Sequence, residues 1–511
     1  MAQVAGNRAR FGRALRFALP YGIAALAAVT VGGTLRTDWI GDDAAYSALN
    51  GVLGADHLSL WTAMLRAFGE WFGGNGRFYP GSILEKYLVF HFFTDRVAYK
   101  LLLLGSALAA LEAFRRCVAA YGGVTFANVA ALCAVVLLQE RGYHDALFAY
   151  NAIPQAIAIA LALSLWSFRA WLDEGDRRAA WSSALLFGAA ALTYEDAYGL
   201  ALLYPLVARA RGAGWSTAWK SAWPQLTVAA VLAALEIAAR RFVHLPPDSN
   251  YATNFAPHAA LVTLGLQLVA ALPVSYWLFD PSSIFSRTSW DDFARNDPLS
   301  LPFALALGVV ACLVVSRLPA RDPNPARCAA SVGLALAVLP ALPLAVVVKY
   351  QGELKLGLGY LPVFLQLFGV ALLAAAGIAW LAQARLRNAG LAVTVALLTL
   401  VGTMTEAANR HLVDEIAPQR IPRQALERQL DAGLLPRNSD TQVVAIATPF
   451  DWIFYGDAGP DGIATRGLFY QHGGNHVVLV PAADAAGASV VLRYDRAGER
   501  WSAERAPLKR P

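Results

Sequence analysis

Nothing constrains this chain more than its apolar runs. Stretches close to the roughly 20 residues that a bilayer crossing needs recur from residue 17 almost to residue 405, separated by short polar connections. Only 15% of the residues are charged and 57% are hydrophobic, whereas a soluble domain carries about 25% charged residues. Backbone in a bilayer must satisfy its own hydrogen bonds, which selects helices for such runs. The expected class is therefore an all-α polytopic membrane protein with about eleven transmembrane helices, external interfacial helices and a small α/β C-terminal external domain.

Charge sets the orientation. The net charge of +6 sits in loops, which fits a positive-inside membrane protein and no nucleic-acid partner. Arg8, Arg10, Arg13 and Arg16 precede the first run (17–35), placing the N-terminus in the cytoplasm. That run lacks a small-residue cleavage site, so it reads as a retained span. Further spans are expected at 98–114, 122–139, 152–170, 180–194, 197–210, 222–242, 301–317, 328–348, 360–382 and 389–405. The apolar stretch 259–279 is read as interfacial, within an external segment 243–300. Were it a span, Arg317, Arg321, Arg327, Arg385 and Arg387 would all fall outside. Cys117, Cys133, Cys312 and Cys328 form no CxxC pair and read as buried thiols.

The first external loop, 36–97, holds Leu58, Trp61, Leu65, Phe68 and Phe72 at helical spacing, an amphipathic helix in the interface plane. A second interfacial helix is expected at 81–94. Residues 1–405 form the membrane unit. Residues 406–511 form the external domain, with a helix at 422–432 and strands at 441–448, 476–481, 489–494 and 501–504.

Within this frame the charged residues at the outer ends of the spans carry the chemistry. Asp42 and Asp43 follow the first span. They read either as a general base or metal-holding pair or as an N-cap before Ala-Ala-Tyr. Glu195 and Asp196 tip a short hairpin and read as a functional pair near the membrane or as a solvated turn. Arg77, Lys349 and Lys355 are cations on the outer face, suited to a phosphate or to snorkelling, and Lys86 either pairs locally with Glu85 or belongs to the same site. His144 and His57 lack metal-ligand spacing. Tyr46, Trp71, Tyr143, Tyr150 and Tyr360 are candidates for sugar stacking or for the aromatic belt. Glu236 and Arg240, four apart in one span, are expected to neutralise each other.

The order of these features resembles the GT-C superfamily of integral-membrane glycosyltransferases. At residue level the resemblance rests on Gly41-Asp42-Asp43, supported by Thr193-Tyr-Glu195-Asp196 and Gly76-Arg77-Phe-Tyr-Pro80, which are similar to stretches of bacterial Gtr-like enzymes. It implies transfer of a sugar from a polyprenyl-phosphate donor to a cell-envelope glycan or glycolipid acceptor, such as lipopolysaccharide. The place would be the outer face of the bacterial inner membrane, among membrane lipids. The resemblance carries a catalytic place to Asp42 and Asp43 only: Asp43 would be the base, with Asp42 supporting it, and the outer-face reading of the charges adds Glu195. Arg77, Asp196, Lys349, Tyr350, Lys355, Lys86 and His144 would bind substrate. A divalent cation, magnesium or manganese, is an optional cofactor with no assigned ligands, since a clear second Asp-x-Asp is absent. A surface-polysaccharide polymerase or ligase would place its main external loop late in the chain. A transporter of lipid-linked sugars would carry charges near the midplane.

Overall fold

The computed structural model describes residues 18–142, 145–243, 251–276, 299–319, 324–384, 387–435, 442–447, 463–481 and 488–505. The first span is a helix over Ala18–Arg36 (α1). The first loop then folds into four helices: Asp42–Tyr46 (α2), Leu49–Ala55 (α3), Leu60–Asn75 (α4) and Pro80–Phe92 (α5). Ser59 caps α4 by accepting from the Thr62 N–H, and Gly76, at φ +61°, ends it. The helix thus runs through Gly73 and Gly74.

Two expected spans join in α6 (Arg96–Val136), which is broken at Gly123 (φ +81°, ψ +160°) rather than at Arg115 and Arg116. The next helices are Ile153–Glu174 (α7), Arg177–Thr193 (α8), Leu203–Ala210 (α9), Trp215–Ser221 (α10) and Trp223–Phe242 (α11). They are followed by Pro257–Ala270 (α12), Leu301–Val315 (α13), Asn324–Val338 (α14), Leu342–Ala345 (α15), Val348–Glu353 (α16), Pro362–Leu381 (α17) and Arg387–Ile416 (α18).

Among the described residues six helices are long and apolar enough to cross a membrane, or up to seven if α10 and α11, bent by 63°, count as one span. The expected eleven segments are all helical, at least in part, but α8, α9 and α13 have only 17, 8 and 15 residues. At 1.5 Å per residue the longest of these covers about 26 Å of a hydrocarbon core of roughly 30 Å. The stretch before α9 is a 3-10 segment, Glu195–Leu202. Helix α12 has 14 residues, close to the 15 of α13. Cys117 and Cys133 are buried as expected, but Cys312 is exposed on the outer face of α13, alongside Leu305 and Val309.

Helix α18 does not stop at residue 405. It continues to Ile416 because Asn409 ties its far end into the bundle. The Asn409 amide donates to the Thr30 and Leu138 carbonyls at 2.9 and 2.8 Å and accepts from the Glu140 N–H at 2.8 Å. Beyond it lie Arg420–Asp431 (α19) and strands Gln442–Ala447 (β1), Val477–Pro481 (β2), Val490–Asp495 (β3) and Arg500–Arg505 (β4). The sheet order is β2-β1-β3-β4, with β1 parallel to β2 and β3, and a β3–β4 hairpin. A parallel pair needs a crossover, and here it contains a helix the sequence reading lacked, Ile463–Gly473 (α20). Trp501 anchors the sheet on α19, its indole N–H donating to the Pro422 carbonyl at 2.7 Å.

Helix α20 lies directly on α3. A Cβ on Gly51 would stand 1.9 Å from the Gly467 carbonyl oxygen, and one on Gly467 would stand 2.4 Å from that of Ala48. Only glycine permits this approach. Arg423 of α19 adds a 2.6 Å hydrogen bond to the Ser47 hydroxyl. The C-terminal unit is thereby fastened to the loop that carries Asp42 and Asp43.

Candidate active site

Gly41, at φ +58°, turns the chain into α2 and is itself the N-cap, so neither aspartate caps the helix with its side chain. Asp43 points inward and is 1% exposed. Its two carboxylate oxygens accept from the Tyr99 hydroxyl and, at 2.9 Å, from the Tyr150 N–H. Burial pushes its pKa up to about 7, against the hydrogen bond from Tyr99 and the charge of Lys100. Asp42, one residue earlier, is half-buried and has no hydrogen bond among the described residues. It lies within electrostatic reach of Lys86 and of Tyr360.

The Tyr150 N–H is aimed by an unusual backbone. Tyr150, Asn151 and Ala152 have φ of +67°, +39° and +70°, a run of non-glycine residues in the left-handed region. Strain of this kind persists only where the surroundings enforce it, and it gathers at functional sites. The enforcing contacts are the Asp43 carboxylate and Glu85, which accepts from the Asn151 amide at 2.5 Å. Burial drives Glu85 well above the usual carboxylate range, with Lys86 opposing and Asp43 reinforcing. Lys86 lies 4.3 Å from the centre of the Tyr46 ring. Burial pulls its pKa down, but Tyr46, Asp42, Asp43 and Glu85 outweigh that and raise it.

Behind Asp43, Lys100 is fully buried and donates to the Phe148 carbonyl at 3.0 Å. Asp38 is equally buried. Burial raises its pKa to about 6 against the attraction of Arg423, and its Oδ1 accepts from the Trp39 N–H at 2.8 Å.

The second acidic pair has a different setting. Arg77 is 5% exposed and forms an ion pair with Glu195. Its guanidinium also lies 4.5, 5.2 and 5.1 Å from the ring centres of Tyr79, Tyr194 and Tyr251. Asp196 is buried, with one carboxylate oxygen unpartnered, and burial reinforced by Glu195 raises its pKa well above the carboxylate range. Glu236 pairs with Arg240 at 2.8 Å and accepts from the Phe78 N–H at 2.7 Å, so the pairing expected from their spacing is present.

Tyrosines connect the two clusters. The ring centres of Tyr350 and Tyr360 are 4.6 Å apart, and Tyr360 is 6.1 Å from Tyr150. The Lys349 ammonium lies 5.7, 5.8 and 6.0 Å from the ring centres of Tyr251, Tyr350 and Tyr360. Asp42, Asp43, Lys86, Lys349, Tyr350, Arg77, Glu195 and Asp196 are thus gathered at one end of the bundle. Lys355 is exposed beside them in sequence, and His144 lies outside the described residues.

Sequence reasoning missed Tyr99, Lys100, Asn151 and Tyr251. Lys100 had a signal, a lone cation inside an apolar run. A magnesium or manganese ion needs several oxygen ligands. Asp43 has both oxygens engaged, and among the described residues no three His, Cys, Asp or Glu side chains gather to hold one.

No family model and no curated relative matches the chain. Solved structures similar to it include ArnT from Cupriavidus metallidurans bound to undecaprenyl phosphate, and the same protein in the apo state. The alignments cover 96% of this chain and 98% and 94% of those chains, at 12% and 13% identity and a TM-score of 0.38. That score is too low to carry residue roles across.

Proposed function

We propose that this end of the bundle transfers a sugar from a polyprenyl-phosphate donor to a cell-envelope glycan or glycolipid at the outer face of the bacterial inner membrane. The observation that carries the reading is Asp42, a half-buried carboxylate without a hydrogen-bond partner among the described residues, placed close to Lys86 and Tyr360.

Each partner of the reaction then has a counterpart. Asp42 takes the proton of the acceptor hydroxyl as its oxygen bonds to the anomeric carbon. The bond from that carbon to the phosphate oxygen breaks, and the lipid phosphate leaves with the electron pair. The transition state is oxocarbenium-like, as in glycoside hydrolysis. Lys86 and Lys349 stabilise the departing phosphate, because the charge of Arg77 is already committed to Glu195. Asp43, expected as the base, becomes the residue that positions α2, since both its oxygens are occupied. The tyrosines from Tyr251 to Tyr360 line the sugar's path. The N-terminus would be cytoplasmic and residues 406–511 periplasmic.

The test is transfer by the purified full-length protein in lipid, with an undecaprenyl-phosphate sugar as donor and envelope extract as acceptor. Labelled product that disappears in the Asp42→Asn variant supports the reading; unaltered transfer by that variant removes it.

A further inference from the structure

Toward the Arg211 end of the bundle, α6, α7, α9, α14 and α17 enclose an apolar crevice of about 90 Å³, open on one side. Cys117, Tyr121, Leu161, Cys328, Leu336 and Phe368 are among its walls. Along α17 it extends from Leu365 to Leu372, about 10 Å at the helical rise.

Its rim is not apolar. Tyr121 lines the crevice and fixes its hydroxyl on the Leu165 carbonyl at 2.6 Å, while the Arg211 guanidinium lies 5.7 Å from its ring centre. Arg211 also pairs with Asp173, which Arg169 holds independently at 3.1 Å. In the connections at this end Arg169, Arg177, Arg178, Arg209 and Arg211 outnumber Asp173, Glu174 and Asp176. Trp181, Trp215, Trp219 and Trp223 are exposed nearby in α8, α10 and the start of α11. Exposed indoles mark the depth of lipid headgroups, so Arg211 stands at the level of phospholipid phosphates.

We propose that the crevice holds one acyl chain of an anionic phospholipid, with its phosphate on Arg211. An apolar slot alone fits any chain; a cationic rim at headgroup depth selects a lipid of net negative charge. Cys328, on the crevice wall, reports its occupancy.

The experiment uses the full chain in nanodiscs of phosphatidylcholine, with and without phosphatidylglycerol, and follows alkylation of each cysteine by N-ethylmaleimide. Phosphatidylglycerol should slow labelling of Cys328 and leave Cys312, which lies outside the crevice, unchanged. In Arg211→Ala, where Asp173 keeps Arg169, affinity for phosphatidylglycerol should fall roughly tenfold, the value of one charge-assisted hydrogen bond. Equal Cys328 labelling in both lipid mixtures overturns the proposal without any variant. Full protection in Arg211→Ala overturns the phosphate assignment. Protection by undecaprenyl phosphate but not by phosphatidylglycerol would instead make the crevice a carrier-lipid site, and the proposal would fail.

Discussion

Two acidic pairs, Asp42-Asp43 and Glu195-Asp196, look alike in sequence and differ in the folded chain. In each, one carboxylate is buried with a pKa raised above the carboxylate range, Asp43 and Asp196. The other members part company. Glu195 is 12% exposed and paired with Arg77 inside a ring of tyrosines, whereas Asp42 has no hydrogen bond among the described residues. An acid with a fixed partner is a structural element; one without it, within electrostatic reach of Lys86, is available to a substrate. Local sequence does not separate the two cases. The difference arises from what folds over each pair: Arg77 reaches Glu195 across 118 residues, while Asp42 meets no hydrogen-bond donor among the described residues.

The comparison breaks most visibly at Arg77. Arg77→Ala strands Glu195 in a buried site, and losing one member of a buried pair costs about 3–5 kcal/mol. Chemical denaturation should register that loss, while Lys86→Ala, beside Asp42, should lower transfer more than it lowers stability. A smaller effect is expected at the fastening of the C-terminal unit. Gly51→Ala drives a methyl into the Gly467 carbonyl, an overpacking worth about 1–3 kcal/mol, and should reduce transfer by shifting α2.

The buried carboxylates also set a pH dependence. Asp43 titrates at about 7 and Asp38 and Asp145 at about 6 in the folded protein, against about 3.9 when unfolded. The folded state therefore binds more protons between these values, and stability is lost as pH rises through them. Thermal unfolding should move to lower temperature between pH 4 and 7, and Asp43→Asn should flatten that slope. Least affected should be the response to a chelator: the rate should not change if Lys86 and Lys349 alone carry the phosphate, and complete, metal-reversible inhibition would contradict that role.

Much of this architecture was legible because it depends on periodic patterns. Leu58 to Phe72 announced α4, and the alternation in 441–448 and 489–494 announced β1 and β3. Asp42, Arg77 and Lys349 were found as charges in unexpected places. Other features depend on tertiary context. Tyr150-Asn151-Ala152 contains no glycine to signal left-handed backbone, and its conformation exists only because Asp43 and Glu85 hold it. Helix α20 includes Gly467 and makes sense only against α3. Lys100 was absorbed into a span, although a lysine in an apolar run needs a partner. The roles within Asp42-Asp43 were the least legible, because adjacent residues in a helix point in different directions.

The most direct test replaces one oxygen in each pair. In a single-turnover transfer assay with a lipid-phosphate sugar, Asp42→Asn should slow the chemical step by about 10²–10⁴-fold, while Glu195→Gln, judged at equal folded protein, keeps a rate near wild type. Equal losses in the two variants, or a larger loss in Glu195→Gln, would contradict the assignment of Asp42 as the base.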